Sequence, residues 1–426
     1  MVERELILSE NCLMKKILCL ICLFSVSFYS CAVRNYLGSQ SGLSEDRVFY
    51  AQMINNGNTY GWFNIPAHLL KVSDNLAIYL QNSQNVSTYA LNKLAQEFDY
   101  HYTSMTNIYG THSDIDANGK IIILLMDINK TKSGGQTLGY FNPSDMHGNN
   151  KGEILYMDIS NANNNTDKAI GTIIHEFQHL INYNYVISGE RNEMSSWLNE
   201  ALSESTSILF NKTTAESRIA EFNNINYYCF YTWNTSNISN NNKNNTHVNY
   251  PSASVFMHWL YKTNNCDKNI FKTIASSKEL GDYNKVLSAA KEISGLSGAT
   301  WDSLLLNWMS EIVTNGLATS WNPSVKATNN LAKGDVSLYP GAMVVCDSCS
   351  ISGTSGNIVT NKVNGKTIVL NKDITLGKGA TSVKVSVSSQ ASSKARMRRS
   401  AIRNDNNEES RDINILLDRN GNIKKD

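Results

Sequence analysis

Two short runs lie between residues 169 and 205: Ile173-Ile174-His175-Glu176-Phe177-Gln178-His179-Leu180 and, after a gap, Trp197-Leu198-Asn199-Glu200-Ala201-Leu202-Ser203-Glu204. Ile170, Ile173, Ile174, Phe177, Leu180 and Ile181 recur at helical spacing, which predicts a helix over 168–183 with a buried face. Asp167 stands as its N-cap, after a polar stretch, 161–166, that reads as loop. One turn apart on one face, His175 and His179 can both reach a single metal ion. Glu176 then points to the side where a metal-bound water would lie. This is the H-E-x-x-H spacing, in which two histidines hold zinc and the glutamate is general base.

A hydrolytic zinc ion takes three protein ligands and keeps a fourth position open. A third histidine in the pattern H-E-x-x-H-x-x-G-x-x-H is excluded, because Asn182 and Tyr185 occupy the glycine and histidine positions. A glutamate from a second helix is the other common solution, and Glu200 offers it. Glu204, one turn further on, is placed to accept the N–H of a zinc-bound histidine and fix its tautomer. The plainer readings are a pair of satisfied core histidines and two solvated helical glutamates.

His175-Glu176-x-x-His179 with Asn199-Glu200-Ala201-Leu202-Ser203-Glu204 resembles the glutamate-zincins, the thermolysin-like metallopeptidases. Within them, H-E-F-Q-H-L-I-N-Y with a downstream W-L-N-E-A-L-S-E is similar to the hyicolysin family of bacterial extracellular neutral proteases. The resemblance extends over 44–316, taking in Asp114 to Lys120, Gly139-Tyr140-Phe141 and Glu153 to Tyr156. It implies one catalytic zinc held by His175, His179 and Glu200, with Glu176 as base in peptide hydrolysis. Glu204 stands where thermolysin-like enzymes usually carry aspartate. The implied fold is α+β and zincin-like, a mixed-sheet lobe and a helical lobe with the metal between them.

The 426 residues are long enough for two domains. A net charge of +1 with 18% charged residues offers no basic field for nucleic acid. Met14-Lys15-Lys16 followed by the apolar run 17–29 has signal-peptide proportions and is too short to span a bilayer. Ser30-Cys31 after that run resembles a bacterial lipoprotein signal, with Cys31 as the lipidated first residue of the mature chain; an ordinary signal cleaved nearby is the alternative. Residues 1–13 look like an upstream extension of the start. These segments predict an exported protein, on the cell surface or facing the periplasm, or secreted, with a membrane association only through Cys31. Export permits disulfides, and the candidate bridges are Cys229–Cys266 and Cys346–Cys349, with free thiols as the alternative.

The signal over 1–31 is followed by a polar tether, 32–45, and a metallopeptidase domain over 46–330. Residues 87–108 have helical spacing, 75–80 suit an edge strand, and Ile121 to Met126 is apolar on both sides and so a buried strand. Asp114-x-Asp116-x-Asn118-Gly119 copies the first half of a calcium loop, but a strand begins where its bidentate glutamate should follow. Calcium is therefore the second candidate cofactor, against a plain turn. Residues 153–159 read as a strand, and the resemblance makes it the edge that pairs with extended substrate. Residues 235–246 are asparagine-rich. From 335 to 426 short β-type runs separated by Gly, Ser and Asn suggest a small β-domain. Within it, 388–412 carries a basic and then an acidic cluster that suits a solvated insertion.

The resemblance implies a zinc endopeptidase acting on protein or peptide substrates. An aminopeptidase is disfavoured, since no Gly-x-Met-Glu-Asn type motif precedes His175. The alternative from another class is a surface-anchored adhesin on a protease scaffold, which would have no use for Glu176. For the donor that stabilises the oxyanion, His247 and Tyr250 are the candidates, just before a helix expected near Ser252; the family layout favours Tyr250. His258, among Phe256, Trp259 and Leu260, reads as a packing residue.

Overall fold

The computed structural model describes residues 43–387 except 56–57, 132–135, 231–245, 339, 353–357 and 373–382. The signal segment, Cys31, most of the tether, most of the asparagine-rich loop and the charged cluster after 388 lie outside the described residues.

The N-terminal half is one six-stranded sheet. Strands β1 (Asp46–Asn55) and β2 (Asn58–Val72) form a long antiparallel hairpin, and β3 (Leu76–Gln81) runs antiparallel to β2. Strand β4 (Ile121–Met126) pairs parallel with β3 and with β6 (Ile154–Asp158), and β5 (Gly139–Phe141) closes the order β1-β2-β3-β4-β6-β5.

The run Ile121 to Met126 is buried at all its positions, as its two-sided apolarity predicts. Alternation divides it between two cores. Ile121, Ile123 and Leu125 join the large core under the helices. Ile122, Leu124 and Met126 join a smaller one with Phe49, Tyr79 and Tyr156. The sheet curls to cover that second face: Ile54 N–H donates to Ile128 O at 2.9 Å, and Lys130 N–H to Ile54 O at 2.8 Å.

Two strand expectations need correction. Residues 75–80 were expected at an edge, but β3 is interior, between β2 and β4. The edge expected at 153–159 is also interior: β6 lies between β4 and the short β5, which forms the border. Three residues around one glycine carry too little alternation to announce a strand. Gly139 is needed there, since a Cβ would lie 2.7 Å from Tyr156 O and 2.8 Å from Thr172 Cγ2.

Helix α1 (Thr88–Tyr109) covers the sheet through Leu94, Phe98, Met105 and Ile108, with Ser87 capping it by accepting from Ala90 N–H at 3.1 Å. The predicted loop 161–166 is mostly a short helix, α2 (Ile159–Asn164), capped by Asp158. Helix α3 (Thr166–Ile187) therefore takes Asn165 as its N-cap, not Asp167. Asp167 lies in the first turn, where a carboxylate suits the helix dipole, and pairs with Lys93.

Helices α4 (Ser196–Phe210), α5 (Lys212–Asn224), α6 (Thr246–Thr263), α7 (Asn269–Ser276), α8 (Asp282–Lys291) and α9 (Trp301–Asn315) make the helical lobe. Trp197, Phe230, Phe256, Trp301 and Trp308 pack as one aromatic cluster at its centre. Helix α6 begins six residues before the expected Ser252; Pro251 gives up one backbone hydrogen bond without ending it.

Strands β7 (Leu317–Ala318) and β8 (Lys326–Ala327) pair with each other. Beyond them lie β9 (Gly334–Leu338), β10 (Met343–Cys346), β11 (Cys349–Ser352), β12 (Ile358–Val363), β13 (Lys366–Asn371) and β14 (Val383–Val387). They form two three-stranded sheets, β10-β13-β12 and β11-β14-β9. These sheets dock on the helical lobe: Tyr228 and Met343 exchange backbone hydrogen bonds at 2.9 Å each, and Val344, Ile368 and Leu370 join the same core as α9. Cys346 and Cys349 are disulfide-bonded. The expected Cys229–Cys266 bridge is absent: Cys229 is buried in the core, whereas Cys266 is exposed in the turn after α6.

Candidate metal centre

Helix α3 is buried without interruption from Ala169 to Asn182. Its histidine face meets α4, which brings Glu200 and Glu204 inward on consecutive turns, both fully buried. Gly171 lets α5 approach closely, since a Cβ there would lie 2.2 Å from Thr214 Oγ1.

Three donor atoms converge between these helices. His175 Nε2 lies 3.2 Å from His179 Nε2 and 3.2 Å from Glu200 Oε2, and His179 Nε2 lies 3.6 Å from the same oxygen. Glu200 Oε1 is buried with no hydrogen-bond partner. Donors about 2.0–2.1 Å from one tetrahedral zinc stand about 3.3 Å apart, and the observed triangle matches that spacing. A single proton could satisfy one edge of this triangle, whereas a divalent cation satisfies all three. The donor set, two imidazoles and a carboxylate, suits zinc.

Burial alone would raise the Glu200 pKa. The charge of His179 and hydrogen bonds from both imidazoles outweigh it and bring the carboxyl down to about 2. The site is thus built around an ionised glutamate facing two imidazoles.

Further partners surround the triangle. Glu204 Oε1 lies 3.7 Å from His175 Nδ1, and the same carboxylate takes two hydrogen bonds from Arg218 of α5, each 2.9 Å. Ser203 Oγ stands 3.1 Å from His179 Nδ1 and 2.5 Å from Gln178 Oε1. Glu176 is buried, and its Oε2 accepts the backbone N–H of Phe141, on the edge strand, at 2.9 Å.

Tyr250 lies inside α6 and not in the loop before it. Its buried ring is centred 6.4 Å from the His175 ring and lies 4.7 Å beneath the Arg218 guanidinium. The side chain of His247 lies outside the described residues.

The structure thus brings His175, His179, Glu200, Glu204 and Tyr250 into one neighbourhood, with Glu176 on the sheet side. Arg218, Ser203 and Phe141 were not foreseen. Ser203 sits inside a quoted run, one position before Glu204, so a helical projection would have placed it against the histidines. Arg218 and Phe141 reach the site from separate elements and give no local signal.

Away from this centre, Asp114 and Asp116 of the half calcium loop meet Glu153, which precedes β6. Burial, followed by the charge of Glu153, pushes the Asp116 carboxyl up to about 6.

Comparison with known proteins adds the following. No protein-family model matches the chain. A neutral metalloprotease, ShpI, of Staphylococcus hyicus is 33% identical over 145 residues, covering 31% of this chain and 33% of the relative. The matched region is thus about a third of the length of that relative. Among solved structures, Legionella pneumophila aminopeptidase A in complex with aspartic acid aligns over 77% of this chain and 34% of its own. Its TM-score is 0.33 at 12% identity, too slight a likeness to bear on chemistry.

Proposed function

We propose that this chain is a zinc-dependent endopeptidase of the hyicolysin kind, exported from the cell and acting on extracellular proteins. The observation that carries the reading is the convergence of His175 Nε2, His179 Nε2 and Glu200 Oε2 between buried helices. The similarity to a neutral metalloprotease supports the same class.

His175, His179 and Glu200 would hold the ion. When bound, zinc supplies Lewis acidity toward a peptide carbonyl and an attacking water. Glu176 would take a proton from that water and return it to the leaving amine, so it must start ionised. Glu204, held by Arg218, orients His175; Ser203 flanks His179. An extended substrate would add beside β5 as a further strand, and the Phe141–Glu176 bond holds that edge and the base in one frame. Tyr250, packed beside His175, is the candidate donor to the oxyanion.

Among the described residues no helix is long and apolar enough to cross a membrane. Export and lipidation rest on residues 14–31. Changing Cys31→Ser should release the protein from the membrane fraction; unchanged partitioning would rule out a lipid there.

The activity itself is tested with casein as substrate. Cleavage should stop on adding a chelator and return with zinc. Chelator-resistant cleavage, or none with zinc bound, would contradict the reading.

A further inference from the structure

A second group of metal-type donors lies in the sheet lobe. Asp114 and Asp116 belong to the loop before β4, and Glu153 stands one residue ahead of β6. One carboxylate oxygen from each lies within 4.8 Å of the other two.

Two carboxylate oxygens of this group are left unmet. Glu153 is 1% exposed, and its Oε1 takes hydrogen bonds from Ser113 Oγ and from Ile115 N–H. Its Oε2 is buried with no hydrogen-bond partner. Asp116 repeats the pattern: Oδ2 takes the Asn118 amide at 2.7 Å, while Oδ1 is buried without a partner. A protein rarely leaves buried carboxylate oxygens unsatisfied, because desolvating them is costly. Positive charge is scarce too. Among the described residues the ion pair here is Arg47 with Asp116, at 3.8 Å, and Arg47 also donates to Asn150 O.

An all-oxygen donor set disfavours zinc and selects a hard divalent cation. An irregular loop with spread carboxylates suits calcium, which accepts variable geometry, over magnesium, which demands a tight octahedron. We propose that Asp114, Asp116 and Glu153 form a calcium site, with Glu153 Oε2 and Asp116 Oδ1 as the oxygens that the protein leaves for the ion. Asp114-x-Asp116-x-Asn118-Gly119 supplies half of a calcium loop, and Glu153 supplies the missing carboxylate from just ahead of β6. The ion ties the loop before β4 to the start of β6, beside the edge strand that holds Glu176. Its role is structural, and it is independent of the histidine site.

The test is thermal melting of the full chain, zinc-loaded, in calcium, in magnesium or in neither. Saturating calcium should raise the midpoint by about 5 °C, and magnesium should not. Glu153→Gln and Asp114→Asn should lose this response, and His175→Ala should keep it. Should Glu153→Gln fail to fold, Asp114→Asn, at an exposed position, carries the comparison. A wild-type midpoint indifferent to calcium, an equal response to magnesium, or a wild-type response in Asp114→Asn would overturn the proposal. Loss of the calcium response in His175→Ala would assign it to the histidine site instead.

Discussion

Glu176 Oε2 accepts the backbone N–H of Phe141 at 2.9 Å, so the candidate base on α3 is tied to the edge strand of the sheet. Helix and strand come from separate parts of the chain, and one hydrogen bond fixes their relative position where the chemistry would occur. The bond is buried, which strengthens it and leaves Glu176 little freedom to wander.

The first prediction follows from how closely that strand approaches its neighbours. In Gly139→Ala the new methyl would press on Tyr156 O and Thr172, displacing β5 and with it Phe141. Catalytic efficiency (kcat/KM) on a peptide substrate should fall about tenfold or more, with zinc retained. Unchanged efficiency would show that the edge does not position the reaction.

A second prediction separates ligands from bystanders. Glu200→Ala should weaken zinc binding by at least the ten- to hundredfold typical of losing an outer partner of a metal site. Glu190→Ala and Glu193→Ala, both exposed, should leave zinc and activity unchanged. Zinc loss in Glu193→Ala with retention in Glu200→Ala would reverse the ligand assignment. Metal content by atomic absorption decides it.

The third concerns Tyr250, whose ring packs between His175 and Arg218. Tyr250→Phe keeps the ring and removes only the hydroxyl. Turnover should drop roughly tenfold or more, with zinc and the melting midpoint intact, if that hydroxyl donates to the oxyanion. Near-wild-type turnover would move the role to His247 or another donor.

Stability should also depend on pH through His258, buried in α6 with no hydrogen-bond partner at Nε2. Burial, then the charge of Lys262, lowers its pKa from 6.5 to about 4. Between those values the unfolded chain binds a proton that the folded chain refuses, so stability falls as pH falls, by about 3 kcal/mol across the window. Denaturant titrations of His258→Leu should show a flatter profile from pH 6.5 to 4. An identical profile would mean that other groups set the acid limit.

What could be read in the sequence follows from how locally each feature is encoded. His175, Glu176 and His179 share one helical turn, so periodicity alone places them. Ile121 to Met126 announces a strand buried on both faces because no residue in it can face water. The third donor needed only a second helix with glutamates one turn apart. The partners that hold the site were hidden for the opposite reason. Arg218 reaches Glu204 from a different helix, and Phe141 offers only a backbone N–H, which any residue has. Glu153 completes the Asp114–Asp116 group from the start of the neighbouring strand, more than thirty residues on, where the sequence showed only half a loop. The missed cap at Asn165 and the misplaced edge strands are boundary matters, settled by neighbours in space. Cys229 and Cys266 suggested a bridge by number, but one is held in the core and the other at the surface.

The central claim is that Glu176 acts as base without binding the metal, and Glu176→Gln tests it most directly. Zinc content and peptide turnover should be measured on the same preparations of wild type and variant. The account predicts stoichiometric zinc in both, with turnover in the variant reduced by about a hundredfold or more, the scale of a lost general base. A variant that loses its zinc, or one that keeps zinc and still turns over like wild type, would contradict it.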